Sequence, residues 1–345
     1  MNNILVTGGC GFIGSNFIHY MLEHYDYNIV NLDALTYAGN LENLKDIEKN
    51  PYYKFIYGRI EDSKFVNEVV KKEKISTIIH FAAESHVDRS IVDCAPFITT
   101  NIVGTQALLD AARANSVGKF IYISTDEVYG SLGETGSFTE DTPLAPNSPY
   151  SASKASADLL VRSYVNTYSF PAVIIRCSNN YGPYQFPEKF IPLVISNALA
   201  EQPIPLYGDG LNIRDWIYVE DFCNAIGLLL HKGKIGEVYN IGGRNEMKNI
   251  DVLKSILRIL GKPESLIHYV QDRLGHDRRY AMDINKINSE LSWMPEFNFE
   301  QGIRMTTDWY VKNKSWWARI KSGEYRKYYE QMYGKRLKES KQRVQ

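Results

Sequence analysis

The stretch Ile4-Leu-Val-Thr-Gly-Gly-Cys-Gly-Phe-Ile-Gly14 decides the fold. Residues 4–7 are apolar or β-favouring and read as a first strand. Two overlapping glycine patterns follow: Gly9, Gly11 and Gly14 give GxGxxG, and Gly8, Gly11 and Gly14 give GxxGxxG. A helical pattern then runs to Leu22. Such glycines permit a tight turn and a close approach of backbone to a pyrophosphate, and the helix N-terminus adds unpaired N–H donors and the positive end of a dipole. Alone, the pattern is weak. Its setting is specific: a second strand, 29–32, ends in Asp33, 19 residues after Gly14, where a carboxylate accepts hydrogen bonds from a ribose diol. The combination predicts a dinucleotide site. Negative charge at Asp33 repels a 2′-phosphate, so NAD is favoured over NADP.

Outward from this unit, further strands are expected at 54–57, 77–83 and 120–123, each separated by helical stretches. That alternation means an α/β fold with a doubly wound parallel sheet. Its ligand crevice lies at the carboxyl ends of the strands. The 120–123 strand runs into Ser124, Thr125, Asp126 and Glu127, which puts a hydroxyl and two carboxylates at that crevice. Tyr150 and Lys154 stand four apart at the start of a predicted helix, so they share one face, and an ammonium beside a phenol eases its ionisation. Thr125, Asp126, Glu127, Tyr150 and Lys154 are therefore the candidate catalytic set. Without this company, an Asp-Glu pair after a strand reads as a helix N-terminal pair favourable to the dipole. His86, after the small residues Ala82 and Ala83, reads either as a ligand contact or as a hydrogen-bonded structural histidine.

Past Tyr150 the pattern changes. A strand is expected at 171–178 and another at 238–243, with loops rich in Pro, Gly and aromatics at 205–210 and 214–216. In Asp272-Arg-Leu-Gly-His-Asp-Arg-Arg-Tyr280, three arginines suit either bidentate phosphate binding or a solvated ion-pair surface. The reading divides the chain into residues 1–178, 179–330 and a basic tail, 331–345, expected to fray, with the first two lobes interleaved.

Bulk properties agree with a globular enzyme. Among 345 residues, 44% are hydrophobic and 23% charged, which suffices for a real core, and the net charge of −1 favours neither nucleic acid nor an anionic membrane. No apolar run approaches the ~20 residues of a spanning helix. The four cysteines are scattered without a CxxC pair, so neither a metal site nor a disulfide framework is suggested, and a reducing cytoplasm is the expected setting.

These motifs resemble those of the extended short-chain dehydrogenase/reductases and, more narrowly, the nucleotide-sugar 4,6-dehydratases. The general ones are Gly8–Gly14 and Tyr150-x-x-x-Lys154. The narrow ones are Asp33-Ala-Leu-Thr-Tyr-Ala-Gly-Asn40, Ala83-Glu-Ser-His-Val-Asp-Arg-Ser90, Thr125-Asp-Glu127, Asn179-Asn-Tyr-Gly-Pro-Tyr-Gln185 and Gly275-His-Asp-Arg-Arg279. The resemblance implies an N-terminal Rossmann lobe holding NAD and a smaller C-terminal α/β lobe holding a nucleotide sugar. It also implies a homodimer formed through the helix after Asn101 and the helix carrying Tyr150. The implied cofactor contacts are Gly8, Gly11, Phe12, Ile13, Gly14, Asp33, Leu35, Thr36, Ile60, Asp62, Phe81, Ala82, Ala83, Ser85, Thr100, Tyr150, Lys154 and Asn180. The implied substrate contacts are Ser85, Thr125, Asn179, Lys189, Phe190, Pro205, Tyr207, Arg214, Asn249, Arg273 and His276. One motif departs: the family's Gly-Asp-Ile-x-Asp reads Gly58-Arg-Ile-Glu-Asp62, and Arg59 cannot accept the adenine amine's hydrogen bond, though its guanidinium can stack on the ring.

The implied reaction removes water from C5 and C6 of the hexose of dTDP-glucose and leaves a ketone at C4. Tyr150, assisted by Lys154 and Thr125, takes the 4-hydroxyl proton as hydride leaves for NAD. Glu127 takes the C5 proton, Asp126 protonates the departing 6-hydroxyl, and hydride returns to C6. UDP-glucose is the alternative substrate. A 4-epimerase or decarboxylase on the same scaffold needs no acid like Asp126, and a non-catalytic sensor needs none of the five.

Overall fold

The computed structural model describes residues 2–322. The basic tail, 331–345, and residues 323–330 of the second lobe lie outside them. The described residues form twelve strands: β1 (Asn3–Thr7), β2 (Asn28–Asp33), β3 (Tyr53–Tyr57), β4 (Ile75–His80), β5 (Lys119–Thr125), β6 (Ala172–Cys177), β7 (Asn179–Tyr181), β8 (Ile204–Tyr207), β9 (Ile213–Tyr218), β10 (Val238–Ile241), β11 (Glu246–Lys248) and β12 (Ile267–Val270). Seven form one parallel sheet in the order β10-β6-β5-β4-β1-β2-β3. The order reverses between β1 and β4, which opens the crevice there.

Alternation along each strand builds a core on both sheet faces. Ile4, Val6, Ile121 and Ile123 point to one face, where they meet Phe17 and Ile18 of the helix Phe12–His24 and Phe222 and Ile226 of the helix Val219–Lys232. Leu5, Phe120 and Tyr122 point to the other, against Val66, Leu108 and Val161 from three further helices. Residues 219–241 thus belong to the nucleotide lobe: β10 pairs with β6, and Ile284, Ile287 and Trp293 join the same core. The chain crosses and returns between the lobes, so the second lobe is not one continuous segment.

The second lobe has two small sheets, β11-β9-β7 and β12-β8. Its core is aromatic, with Tyr181, Trp216, Tyr218, Phe299, Tyr310 and Trp316. Residues 205–207 and 214–216, expected in loops, are strand. Their polar, proline-containing sequences carry little β signal, and pairing with distant partners decides them. Only Ser178 separates β6 from β7, so the chain steps from the large sheet to the small one directly above the crevice.

The helix expected after Asn101 begins earlier. Ala95–Phe97 is α-helical, Ile98–Gly104 is a π-helix and Thr105–Ala114 returns to α. Such wide turns are rare and recur at functional sites. Here the wide turn aims Asn101 inward. Its amide donates to the carbonyl of Glu84 (3.0 Å) and to the Ser153 hydroxyl (2.8 Å), and its oxygen accepts the Glu84 N–H (2.8 Å).

Candidate active site

A single cleft joins the glycine turn to the ends of β4, β5 and β6. At its first end Gly8 adopts φ +73°, and an added Cβ would lie 2.6 Å from the Ala82 nitrogen. At Gly14 a Cβ would lie 2.4 Å from the Gly8 carbonyl. Side chains are excluded from both places, so the start of the helix Phe12–His24 lies bare toward the cleft. Its N-cap, Gly11, supplies no side-chain acceptor, which leaves those N–H groups available to a phosphate. Asp33 ends β2 with its carboxylate anchored by the N–H groups of Cys10 and Leu35, both at 2.8 Å. Burial still pushes its pKa up. These features fit the pyrophosphate and adenine ribose of NAD.

Sixteen of the eighteen expected cofactor residues line the cleft: Gly8, Gly11, Phe12, Ile13, Gly14, Asp33, Thr36, Ile60, Phe81, Ala82, Ala83, Ser85, Thr100, Tyr150, Lys154 and Asn180. Two do not. Leu35 turns away at φ 49°, leaving its N–H on Asp33. Asp62 is the N-cap of the helix Ser63–Lys72, where it accepts the Phe65 N–H at 3.1 Å. A helix-capping carboxylate has its lone pairs turned to backbone, so capping and adenine contact compete. Arg59 does line the cleft and pairs with Glu61 at 3.1 Å.

At the other end all five catalytic candidates meet. Thr125 closes β5, and its hydroxyl accepts the Glu127 N–H at 3.3 Å. It also donates to Asp126 Oδ1 at 3.2 Å and hydrogen-bonds the Tyr150 phenol. Asp126 is 1% exposed, and its Oδ2 has no hydrogen-bond partner among the described residues. Burial first, then the Glu127 and Asp215 charges, push its pKa far up, which favours the neutral carboxyl. Burial raises Glu127 too, but Arg273, Arg214 and Lys189 pull it back. The environments of adjacent carboxyls thus drive them apart, as an acid and a base require.

The Tyr150–Lys154 pair differs from expectation. Lys154 donates to the Ile123 carbonyl at 2.7 Å and lies over the Tyr122 ring at 4.4 Å, and burial draws its pKa down to about 8. Tyr150 is driven well up, by burial and then by Glu127. The ammonium's partner is thus a backbone carbonyl of another element, which sequence spacing alone does not foresee.

Of the expected substrate residues, Ser85, Thr125, Asn179 and Lys189 line the cleft. Phe190, Pro205, Tyr207, Arg214, Asn249, Arg273 and His276 do not. Arg214 and Arg273 stand behind Glu127, and both feel its charge. Arg214 donates to the Asp277 carbonyl at 2.9 Å and covers the Tyr280 ring at 4.2 Å. Tyr207 donates to Asp88 at 3.0 Å. His276 meets the Tyr207 ring edge-on and Asp272 at 2.6 Å, and burial brings its pKa down to about 4. Phe190 stacks on Trp216, Pro205 pairs with His268 in the small sheet, and Asn249 opens a helix. The three arginines of 272–280 do not converge: Arg278 pairs with Asp209, Arg279 with Glu246, and only Arg273 faces the site. His86 is buried, hydrogen-bonded to the Glu188 backbone and driven well down in pKa, which fits the structural reading.

Sequence reasoning missed a brace inside its own motifs. Arg89 donates to Glu188 Oε2 at 3.1 and 3.2 Å and lies over the Tyr37 ring at 4.1 Å. Tyr37 and Glu188 line the cleft. It also missed Asp215, a buried carboxyl of β9 raised to about 6 by burial.

A family model described as GDP-mannose 4,6 dehydratase matches residues 5–306. The chain belongs to that family. Among curated relatives of this dehydratase family, the dTDP-glucose 4,6-dehydratase of Xanthomonas campestris pv. campestris is 52% identical, covering 93% of this chain and 97% of the relative. A solved dTDP-glucose 4,6-dehydratase from Bacillus anthracis, in complex with NAD, is 53% identical with a TM-score of 0.88, covering 93% and 100%. Another from Streptomyces venezuelae, with NAD and dTDP bound, is 46% identical with a TM-score of 0.90, covering 92% and 99%.

Proposed function

We propose that the chain converts dTDP-glucose to dTDP-4-keto-6-deoxyglucose and water. The observation that carries this reading is the buried Asp126 carboxyl, which burial drives toward its neutral form and whose Oδ2 has no hydrogen-bond partner among the described residues, beside a Glu127 ringed by cations, both at the nicotinamide end of an NAD-fitting cleft. An epimerase or decarboxylase has no use for an acid in that place. Full-length relatives of about half-identical sequence with this activity support it.

NAD bound in the cleft accepts the hydride from C4 and returns it to C6, so net redox is zero. Gly8, Gly14 and the helix start hold its pyrophosphate, and Asp33 its adenine ribose. Tyr150 removes the 4-hydroxyl proton, with Thr125 hydrogen-bonded to the same oxygen. Because burial disfavours the phenolate here, Tyr150 ionises only with positive charge brought beside it, and the nicotinamide ring and Lys154 supply that charge. The new ketone acidifies the C5 proton, which Glu127 takes and later returns. Asp126 protonates the 6-hydroxyl as it leaves. Lys189, Arg214 and Arg273 offset the substrate's pyrophosphate charge.

The chain also pairs with a second copy, we infer, through the helices at 95–114 and 149–168, where Ile98, Val103 and Leu159 are exposed apolar side chains. A cytoplasmic setting suits four unpaired cysteines. Purified protein offered dTDP-glucose and UDP-glucose in parallel tests the activity. The expected result is an alkali-induced chromophore of a 4-keto-6-deoxy sugar, faster with dTDP-glucose. Turnover giving only an epimer or a pentose overturns it. Sedimentation tests the dimer.

A further inference from the structure

The dehydration just proposed, on which this inference rests, leaves protons unevenly placed. Tyr150 gains the proton of the 4-hydroxyl. Glu127 gains the C5 proton and gives it back. Asp126 loses a proton to the departing water. After one turnover Tyr150 therefore carries one proton too many and Asp126 one too few. Both groups are buried, Tyr150 at 8% and Asp126 at 1% exposure, and a bound sugar shields them further from solvent.

We propose that the Thr125 hydroxyl carries the missing proton from Tyr150 to Asp126 and so resets the site. A hydroxyl has one proton and two lone pairs. Here it accepts the Glu127 N–H at 3.3 Å, donates to Asp126 Oδ1 at 3.2 Å and meets the Tyr150 phenol. After turnover the Tyr150 O–H donates to Thr125 Oγ1, and the Thr125 O–H donates to Asp126. Two protons shift along this chain. The phenol and threonine O–H bonds break, and a new threonine O–H and a carboxyl O–H form. Phenolate, intact hydroxyl and neutral carboxyl remain, and no co-reactant is consumed. The two carboxyl oxygens divide the work: Oδ1 receives from Thr125, whereas Oδ2, which has no partner among the described residues, is left for the 6-hydroxyl. A half-turn about Cβ–Cγ presents the new proton to the next substrate.

The direction of the shift has a physical source. Asp126 is buried beside Glu127 and Asp215, which favour its neutral form, with Arg214 opposing. Tyr150 faces Glu127, Cys177 and Tyr122, which disfavour phenolate. NAD held in the cleft would supply positive charge that favours the Tyr150 phenolate.

Rapid-quench measurement of product per active site, with NAD-loaded enzyme and dTDP-glucose, tests the relay. Equilibrated enzyme starts with its protons in place. Thr125→Val should release one product per site and then slow, the ratio of first to later turnovers rising ~10²-fold over wild type, a typical proton-transfer contribution. The slow phase should fall further as pH rises, because Asp126 must then draw its proton from solvent. Thr125→Ser should keep the wild-type ratio. Loss of the contact to the 4-oxygen slows every turnover alike and makes no such burst. Should the valine variant fail to fold, Thr125→Ala reads the same ratio. An unchanged ratio in a folded hydroxyl-free variant, or a slow phase indifferent to pH, overturns the relay. No 4-keto-6-deoxy product from wild type removes the functional reading itself, and the relay with it.

Discussion

Two buried carboxylate sites lie beside neighbouring strands and behave oppositely. Beside β6, Asp158 and Arg176 are 0% and 1% exposed and meet in a bidentate pair, both bonds 2.9 Å, with the Tyr129 hydroxyl completing the arginine. At the end of β5, Asp126 is equally buried but leaves one oxygen without a partner and is crowded by like charges. The first site gives each carboxylate oxygen a guanidinium partner. The second leaves one oxygen without a partner among the described residues, and burial favours its neutral form. Burial alone therefore marks neither structure nor chemistry; the completeness of the pairing does.

Substitutions at each site should separate the two. Asp126→Asn and Glu127→Gln should each lower turnover ~10²–10⁴-fold while the proteins fold and reduce NAD with substrate, so the absorbance of the reduced nicotinamide should accumulate. Solvent deuterium should exchange into C5 of the stalled ketone with Asp126→Asn and much less with Glu127→Gln. Urea midpoints should not fall, since an amide replaces a carboxyl that burial already disfavours as an ion. Wild-type turnover in Asp126→Asn would erase the distinction between the sites.

Arg176→Met should do the reverse. Stranding Asp158 without its partner should cost about 3–5 kcal/mol in urea unfolding, whereas Arg176→Met with Asp158→Leu should recover most of it. Turnover per folded site should stay near wild type. A stability loss under about 1 kcal/mol would place this pair with ordinary surface pairs.

Asp215 tests the boundary between the two classes. Its pKa is raised from 3.8 to about 6, so its contribution to stability is fully present below pH 3.8 and lost as pH rises through about 6. The shift corresponds to roughly 3 kcal/mol. Asp215→Asn should flatten the fall in stability between pH 4 and 7, read by urea unfolding at several pH values. An unchanged slope would show that Asp215 stays ionised throughout.

The smallest expected effect lies at the other end of the cleft. Asp33→Asn removes the charge that repels a 2′-phosphate and weakens a charged acceptor, worth ~1.5–3 kcal/mol. NAD affinity should drop about tenfold or more, with discrimination against NADP lost, in equilibrium competition. Wild type that prefers NADP would overturn the reading of Asp33.

By itself the sequence determined the nucleotide lobe, because its signals are local. Gly8 and Gly14 sit where a Cβ collides with backbone, and Asp33 ends a strand at the place a ribose requires. Thr125, Asp126 and Glu127 were legible for the same reason: a buried strand that breaks into polar residues must deliver them to the sheet's carboxyl edge. Tertiary structure alone decided the states of these groups. Lys154 had a legible place on the Tyr150 face but not its acceptor, the Ile123 carbonyl of another element. Only folding brings Arg214, Arg273 and Lys189 around Glu127, scatters Arg278 and Arg279 to separate partners, and turns Asp62 to a helix cap. Arg89 stands in a legible motif, but its partner Glu188 and the buried Asp215 carry no local signal of their state. Charge state depends on burial and on neighbours distant in the chain, and no window of sequence contains either.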